Sequence, residues 1–241
     1  MIVILQNRTM TITDRILLIL GMAHDMQRRM NRQEMFACSD VIKKYTTDKA
    51  LNFVKNYQQK PENKREEMNF AHTMFKHLYE LELLKEEWGI LLKETEDLLY
   101  QDKEAYVKNK EEFEGYLKIT ESAERQKCKE TESNTISRNN DTNIPTKINV
   151  SIHLEQLLVY FLFTYFPGAV YDGEIYAKVQ LALYCVWMIW EIWMARWLKN
   201  EKFLDLEEMT ELVYRFSREV EHSDLNLREI EKILNKKWFL T

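Results

Sequence analysis

Arg215, Glu219 and His222 stand at i, i+4 and i+7 within a charged block that runs from Tyr214 to Leu227. On a helix this spacing predicts one exposed stripe, set opposite Leu212, Phe216 and Val220. A carboxylate beside an imidazole raises its pKa and fixes its orientation, which is the chemistry of a general base. The competing reading is a solvated face of i,i+4 ion pairs, with His222 favoured by the dipole at a helix C-terminus.

A second constellation lies upstream. Gln180, Tyr184 and Glu191 share one face of an otherwise apolar helix, because eleven residues return an α-helix to nearly the same direction. A carboxylate on such a face needs a partner, and groups of this kind concentrate at functional sites. An ion pair with another helix is the structural alternative. Trp187, Trp190, Trp193 and Trp197 have the composition of an aromatic cage for a cation, but spacings of three and four also suit core packing. His72 and His77 are five apart and share no helical face. No HExxH, phosphate-cradling glycine loop, GxSxG or dinucleotide fingerprint is present.

The elements that must position these groups read as helices. The 241 residues hold only five Gly and three Pro against 11 Met, with 45% apolar and 30% charged residues. That balance favours helix over strand and provides for a real core. A net charge of -5 and a pI near 5.7 argue against a nucleic-acid partner, whose binding surface would be basic. Cys38, Cys128 and Cys185 are isolated and make no CxxC, which argues against a disulfide framework or zinc site and fits a reducing, cytoplasmic setting. Met1 to Leu5 is too short and lacks the basic flank of an export signal. The apolar run from Val179 to Trp190 is too short for a membrane span, since Glu191 interrupts it, and predicts a buried core helix.

Helical spacing predicts elements over about Asp14–Asn31, a segment after Ser39, Lys64–Leu84, Lys85–Gln101 and Glu104–Lys118. Residues 119–148 lose the apolar pattern and read as a flexible polar linker. Beyond it come His153–Phe166, stopped by Pro167-Gly168, then a long helix to Asn200 with Asp172 as its cap. Two more follow, capped by Asp205 and Ser223. The expectation is an all-α, multi-helix bundle in two sections, 1–118 and 149–241.

Three blocks carry a family resemblance. They are Ile4-Leu5-Gln6-Asn7-Arg8 with Thr13-Asp14-Arg15-Ile16-Leu17-Leu18; Tyr165-Phe166-Pro167 with Tyr171-Asp172-Gly173 and Lys178-Val179; and Phe216-Ser217-Arg218-Glu219-Val220-Glu221-His222-Ser223. Their order and spacing resemble the C-terminal part of the flagellin lysine-N-methylase family. The resemblance rests on the two ends of the chain, since the middle, Met35 to Lys147, carries no motif of its own.

The resemblance implies methyl transfer from S-adenosylmethionine to flagellin lysines. It also implies an iron–sulfur cluster in an N-terminal cysteine-rich region that this chain lacks, so the chain reads as a truncated product. Such chemistry needs a neutral amine, an aligned methyl group and a pocket that excludes water. On that basis Glu219, Glu221 and His222 are the candidates to take the amine's proton or hold the cationic substrate. Tyr184, Glu191 and Asp172 are the candidates for a substrate or cofactor pocket. The alternatives are a non-enzymatic helical module that binds flagellin or another chain, and an inactive fragment.

Overall fold

A computed structural model of the chain describes residues 1–5, 7, 10, 12–34, 36, 38–45, 47, 49, 50, 52, 67–116 and 150–236. The helices are α1 (Ile2–Leu5), α2 (Ile12–Asn31), α3 (Cys38–Tyr45), α4 (Glu67–Lys76) and α5 (Glu86–Leu99), then α6 over residues 103–116. The chain continues with α7 (Val150–Tyr165), α8 (Ile175–Lys199), α9 (Leu206–Val220) and α10 (Asp224–Lys236). Among the described residues there is no strand, and the fold is all-α.

The sequence of α8 dictates the architecture. It is apolar on nearly every side, so it can be stable only when surrounded. Eighteen of its 25 residues are buried, and α2, α5, α7, α9 and α10 all pack against it. By length and composition it could cross a membrane, yet 78% of its most apolar window is covered by the protein's own side chains. It is the core helix that its charge pattern predicts. Both described sections contribute to one hydrophobic cluster around it, from Leu18 and Ile19 to Leu92, Phe161, Ile189, Phe216 and Ile230.

Local chemistry sets the ends of these helices. Asp205 is extended, and its carboxylate accepts the Glu208 amide at 2.8 Å, while Glu207 and Glu208 favour the helix dipole of α9. Ser223 does the same for α10, accepting the Asn226 amide at 3.3 Å. Pro167 and Gly168 convert the end of α7 into a 3-10 turn, Phe166–Gly168. The following single helical turn, Ala169–Asp172, closes on Gly173, whose φ of +76° is open to glycine at little cost. Gln27 of α2 seals that turn: its amide donates to the Gly173 carbonyl and its oxygen accepts the Tyr176 amide, both at 3.0 Å.

Three expectations change. Asp172 is not the N-cap of α8; that position is Glu174, and Asp172 instead accepts the Glu174 amide and pairs with Lys178 at 3.1 Å. The helix expected over Lys64–Leu84 ends at Lys76, tightens into a 3-10 turn and becomes extended at Leu81, leaving an exposed stretch before α5. Ser39 lies inside α3 rather than ahead of it. The expected linker over residues 119–148 lies outside the described residues.

Candidate functional site

Glu219 is not on an exposed stripe. It is 1% exposed, because it lies three residues after Phe216 and seven after Leu212 and so shares their core-facing side. Its Oε2 accepts the backbone amides of Leu84 at 2.9 Å and Lys85 at 3.3 Å, immediately ahead of α5, and Arg218 donates to Oε1. Four amides at a helix N-terminus lack partners inside the helix, and a carboxylate there also meets the positive end of the dipole. Asn226 completes the contact: its amide oxygen accepts the Glu82 N–H at 2.7 Å, and its nitrogen donates to the Glu82 carbonyl at 3.0 Å and the Glu219 carbonyl at 2.7 Å. The Glu219–Asn226 pair therefore clamps the 82–85 loop onto α9 and α10. Arg215 turns the other way, pairing with Glu211 at 2.7 Å, and His222 is exposed.

Glu221 points to a different neighbourhood. Tyr165 of α7 donates to its Oε1 at 3.0 Å and the Ser217 hydroxyl donates to its Oε2, while burial and then Glu221 raise the nearby Tyr160 phenol. Burial raises the Tyr165 phenol well above its ordinary range, with Cys185 and Glu221 adding to the shift, so it stays a donor at neutral pH. Burial and then Glu221 likewise raise the thiol of the fully enclosed Cys185, which stays neutral beneath the cluster. Among the described residues no lysine, arginine or histidine forms an ion pair with Glu221. The result is a part-exposed carboxylate held by neutral hydroxyls, a setting that favours a cation arriving from outside.

Tyr184, Glu191 and Asp172 do not share a pocket. Tyr184 is 1% exposed and donates to the Met74 carbonyl at 3.2 Å. Glu191 is completely enclosed and accepts from Tyr106 at 2.8 Å, Trp187 at 2.9 Å and Tyr100 at 3.0 Å. Neutral donors thus take the place of the ion pair that the sequence suggested. Burial holds its carboxyl above the usual range, opposed by Tyr106, Lys110, Tyr100 and Trp187. Trp193 and Trp197 are core residues, whereas Lys110 lies over the half-buried Trp190 ring at 5.7 Å, so no open cage forms.

An open groove of about 950 Å³ runs along α9, lined by Asp205, Glu207, Glu211, Tyr214 and Arg215 with Arg196 behind them. A smaller concavity of about 220 Å³, which shares Arg196 and Arg215, reaches Glu87 and Ile90 of α5.

Sequence reasoning singled out Glu221 but missed Tyr160, Ser217 and Cys185 as its surroundings. Tyr165 carried one clue, since it opens the second of the three motif blocks, and the structure brings that block against the third. The first block is structural: Arg15 is 2% exposed, donates to the Leu5 carbonyl and pairs with Glu155 of α7 at 2.6 Å. Comparison with curated proteins and with solved structures gives no match. A family model described as the FliB lysine N-methylase C-terminal domain matches residues 1–240, so the middle of the chain falls within the family as well as its ends. The chain belongs to the FliB lysine N-methylase C-terminal domain family.

Proposed function

We propose that this chain acts in the N-methylation of flagellin lysines in the cytoplasm, with S-adenosylmethionine as methyl donor and Glu221 as the residue that receives the lysine amine. The observation that carries the reading is the family match over residues 1–240, supported by the meeting of Tyr165 and Glu221. When bound, S-adenosylmethionine supplies an electrophilic methyl group to a neutral lysine nitrogen. The α9 groove has groups of suitable chemistry for it: carboxylates at Asp205, Glu207 and Glu211 to accept from hydroxyls and attract cationic centres, and the exposed Tyr214 ring for a base.

Glu221 orients the amine rather than stripping its proton. In this reading Glu221 aligns the ammonium beside the Tyr160 and Tyr165 hydroxyls, and the proton leaves to water before the nitrogen lone pair is used. Glu219 is a positioning residue that fixes the end of α9 through the loop ahead of α5, and His222 stands exposed next to Glu221. An iron–sulfur cluster does not fit the residues present. Cys38 and Cys185 are on different helices, Cys185 is enclosed, and the sequence has three cysteines against the four thiolates such clusters use.

The test is transfer of labelled methyl groups to purified flagellin, by this chain alone and with a cysteine-rich partner region supplied in trans. Methyl incorporation that falls at least about tenfold in Glu221→Gln is the expected result. No incorporation in any arm removes the reading.

A further inference from the structure

The outer side of α7 and the turn after it expose large apolar residues, and α7 also carries Tyr165, which bonds to Glu221. Tyr160 is 50% exposed, Phe163 76%, Val170 85% and Tyr171 93%. Tyr160 and Phe163 are three apart on one helical side, and Val170 and Tyr171 follow on the turn beyond Pro167. Scattered single apolar residues on a surface need no account, but a run of aromatic side chains around one chain reversal marks an interaction surface. Such rings give large contact area for little lost side-chain freedom.

The electrostatics name the occupant. Tyr165 of the same helix donates to Glu221 at 3.0 Å, and Tyr160 is near enough for the carboxylate to add to the burial that raises its phenol, so the face lies beside a carboxylate that no described cation neutralises. Asp172 and Glu174 add negative charge at the far end, although Lys178 holds Asp172. A purely apolar partner would leave the Glu221 carboxylate desolvated and uncompensated, which is costly. A segment bearing an ammonium amid apolar side chains satisfies both features. We infer that the Tyr160–Phe163–Val170–Tyr171 face docks a protein segment that presents a lysine flanked by apolar residues, its ammonium on Glu221. This deepens the proposed function and rests on it for the identity of the substrate protein.

The test uses the full chain and two dye-labelled nonapeptides with leucine and alanine around a central residue, lysine in one and norleucine in the other. Fluorescence anisotropy is expected to show about tenfold tighter binding of the lysine peptide. Phe163→Ser and Tyr171→Ser should each weaken that binding about five- to tenfold, and circular dichroism should show an unchanged fold, because both side chains are exposed. Glu221→Gln should abolish the preference for lysine while leaving the apolar part of the binding. Equal affinity for the two peptides overturns the inference, as does indifference to both serine variants. Self-association of the wild-type chain that Phe163→Ser dissolves also overturns it, since the face would then belong to a second copy. Methylation is scored separately. Flagellin methylated equally by wild type and both serine variants overturns the docking face alone. Lysine-specific docking with no methyl transfer supports the face and removes only the enzymatic reading.

Discussion

The phenol of Tyr165 donates to the carboxylate of Glu221 across 3.0 Å, although 56 residues separate them in sequence. The bond joins the end of α7 to the end of α9 and holds the carboxylate at the margin of an exposed aromatic face. Tyr165→Phe and Glu221→Gln should each lower kcat/KM for flagellin by about 10- to 100-fold. In a double-mutant cycle followed by urea denaturation the two should couple by about 1 kcal/mol. Strict additivity would show that the contact is incidental.

Glu219 serves the fold more than the reaction. Glu219→Ala strands the Leu84 and Lys85 amides, and Asn226→Ala strands the Glu82 amide and carbonyl. Each should cost about 2–4 kcal/mol in chemical denaturation. His222→Ala, at an exposed position, should stay within about 0.5 kcal/mol of wild type. A Glu219→Ala protein as stable as wild type would disprove the clamp.

Glu191 gives a pH dependence of known sign. Burial raises its folded pKa above the unfolded value of 4.5. A raised value means that its contribution to stability is full below 4.5 and is lost as pH climbs through the folded pKa. Glu191→Gln has no charge to bury and can keep Tyr106 and Trp187 as donors to its oxygen. Melting temperatures of the two proteins should therefore nearly coincide near about pH 4. Toward pH 8 the variant should become the more stable, by about 1.4 kcal/mol for each unit of elevation. A variant weaker than wild type at every pH rules this account out.

The Arg15–Glu155 pair tests how α2 is fastened to α7. With side-chain exposures of 2% and 8%, removing one partner takes a charge-assisted bond at 2.6 Å away from a buried charge. Arg15→Met should lose about 3–5 kcal/mol, and adding Glu155→Leu should recover much of that loss. The urea midpoints of the single and double variants provide the measurement.

Much of the helical layout is legible in the sequence. The Asp205 and Ser223 caps hold, and Trp88, Leu91, Leu92, Thr95 and Leu99 form the buried side of α5 as their spacing requires. The departure at Glu219 is one of period: a residue at i+3 from Phe216 shares its core-facing side, whatever its charge suggests. Trp187 lies one helical turn from Glu191, but its other two partners could not be read, because Tyr106 and Tyr100 lie 85 and 91 residues away and local periodicity carries no information about such distances. Tyr165 was hidden from Glu221 for the same reason, whereas Ser217 is one helical turn away. Only the family resemblance linked Tyr165 to the block that contains Glu221.

The clamp on the 82–85 loop reads backbone atoms and ignores side chains. Glu82, Leu83, Leu84 and Lys85 are all exposed, Glu82 keeping one long bond from Ser223 at 3.5 Å, and Glu219 and Asn226 grip amides and a carbonyl that almost any residue would offer. Evolution is therefore free to rewrite the loop, barring proline at 82, 84 and 85, while the two residues that hold it have few substitutes. Mutational tolerance should be sharply one-sided across this interface. Such an asymmetry places a recognisable signature at the end of the chain and leaves the middle, which it fastens, without one.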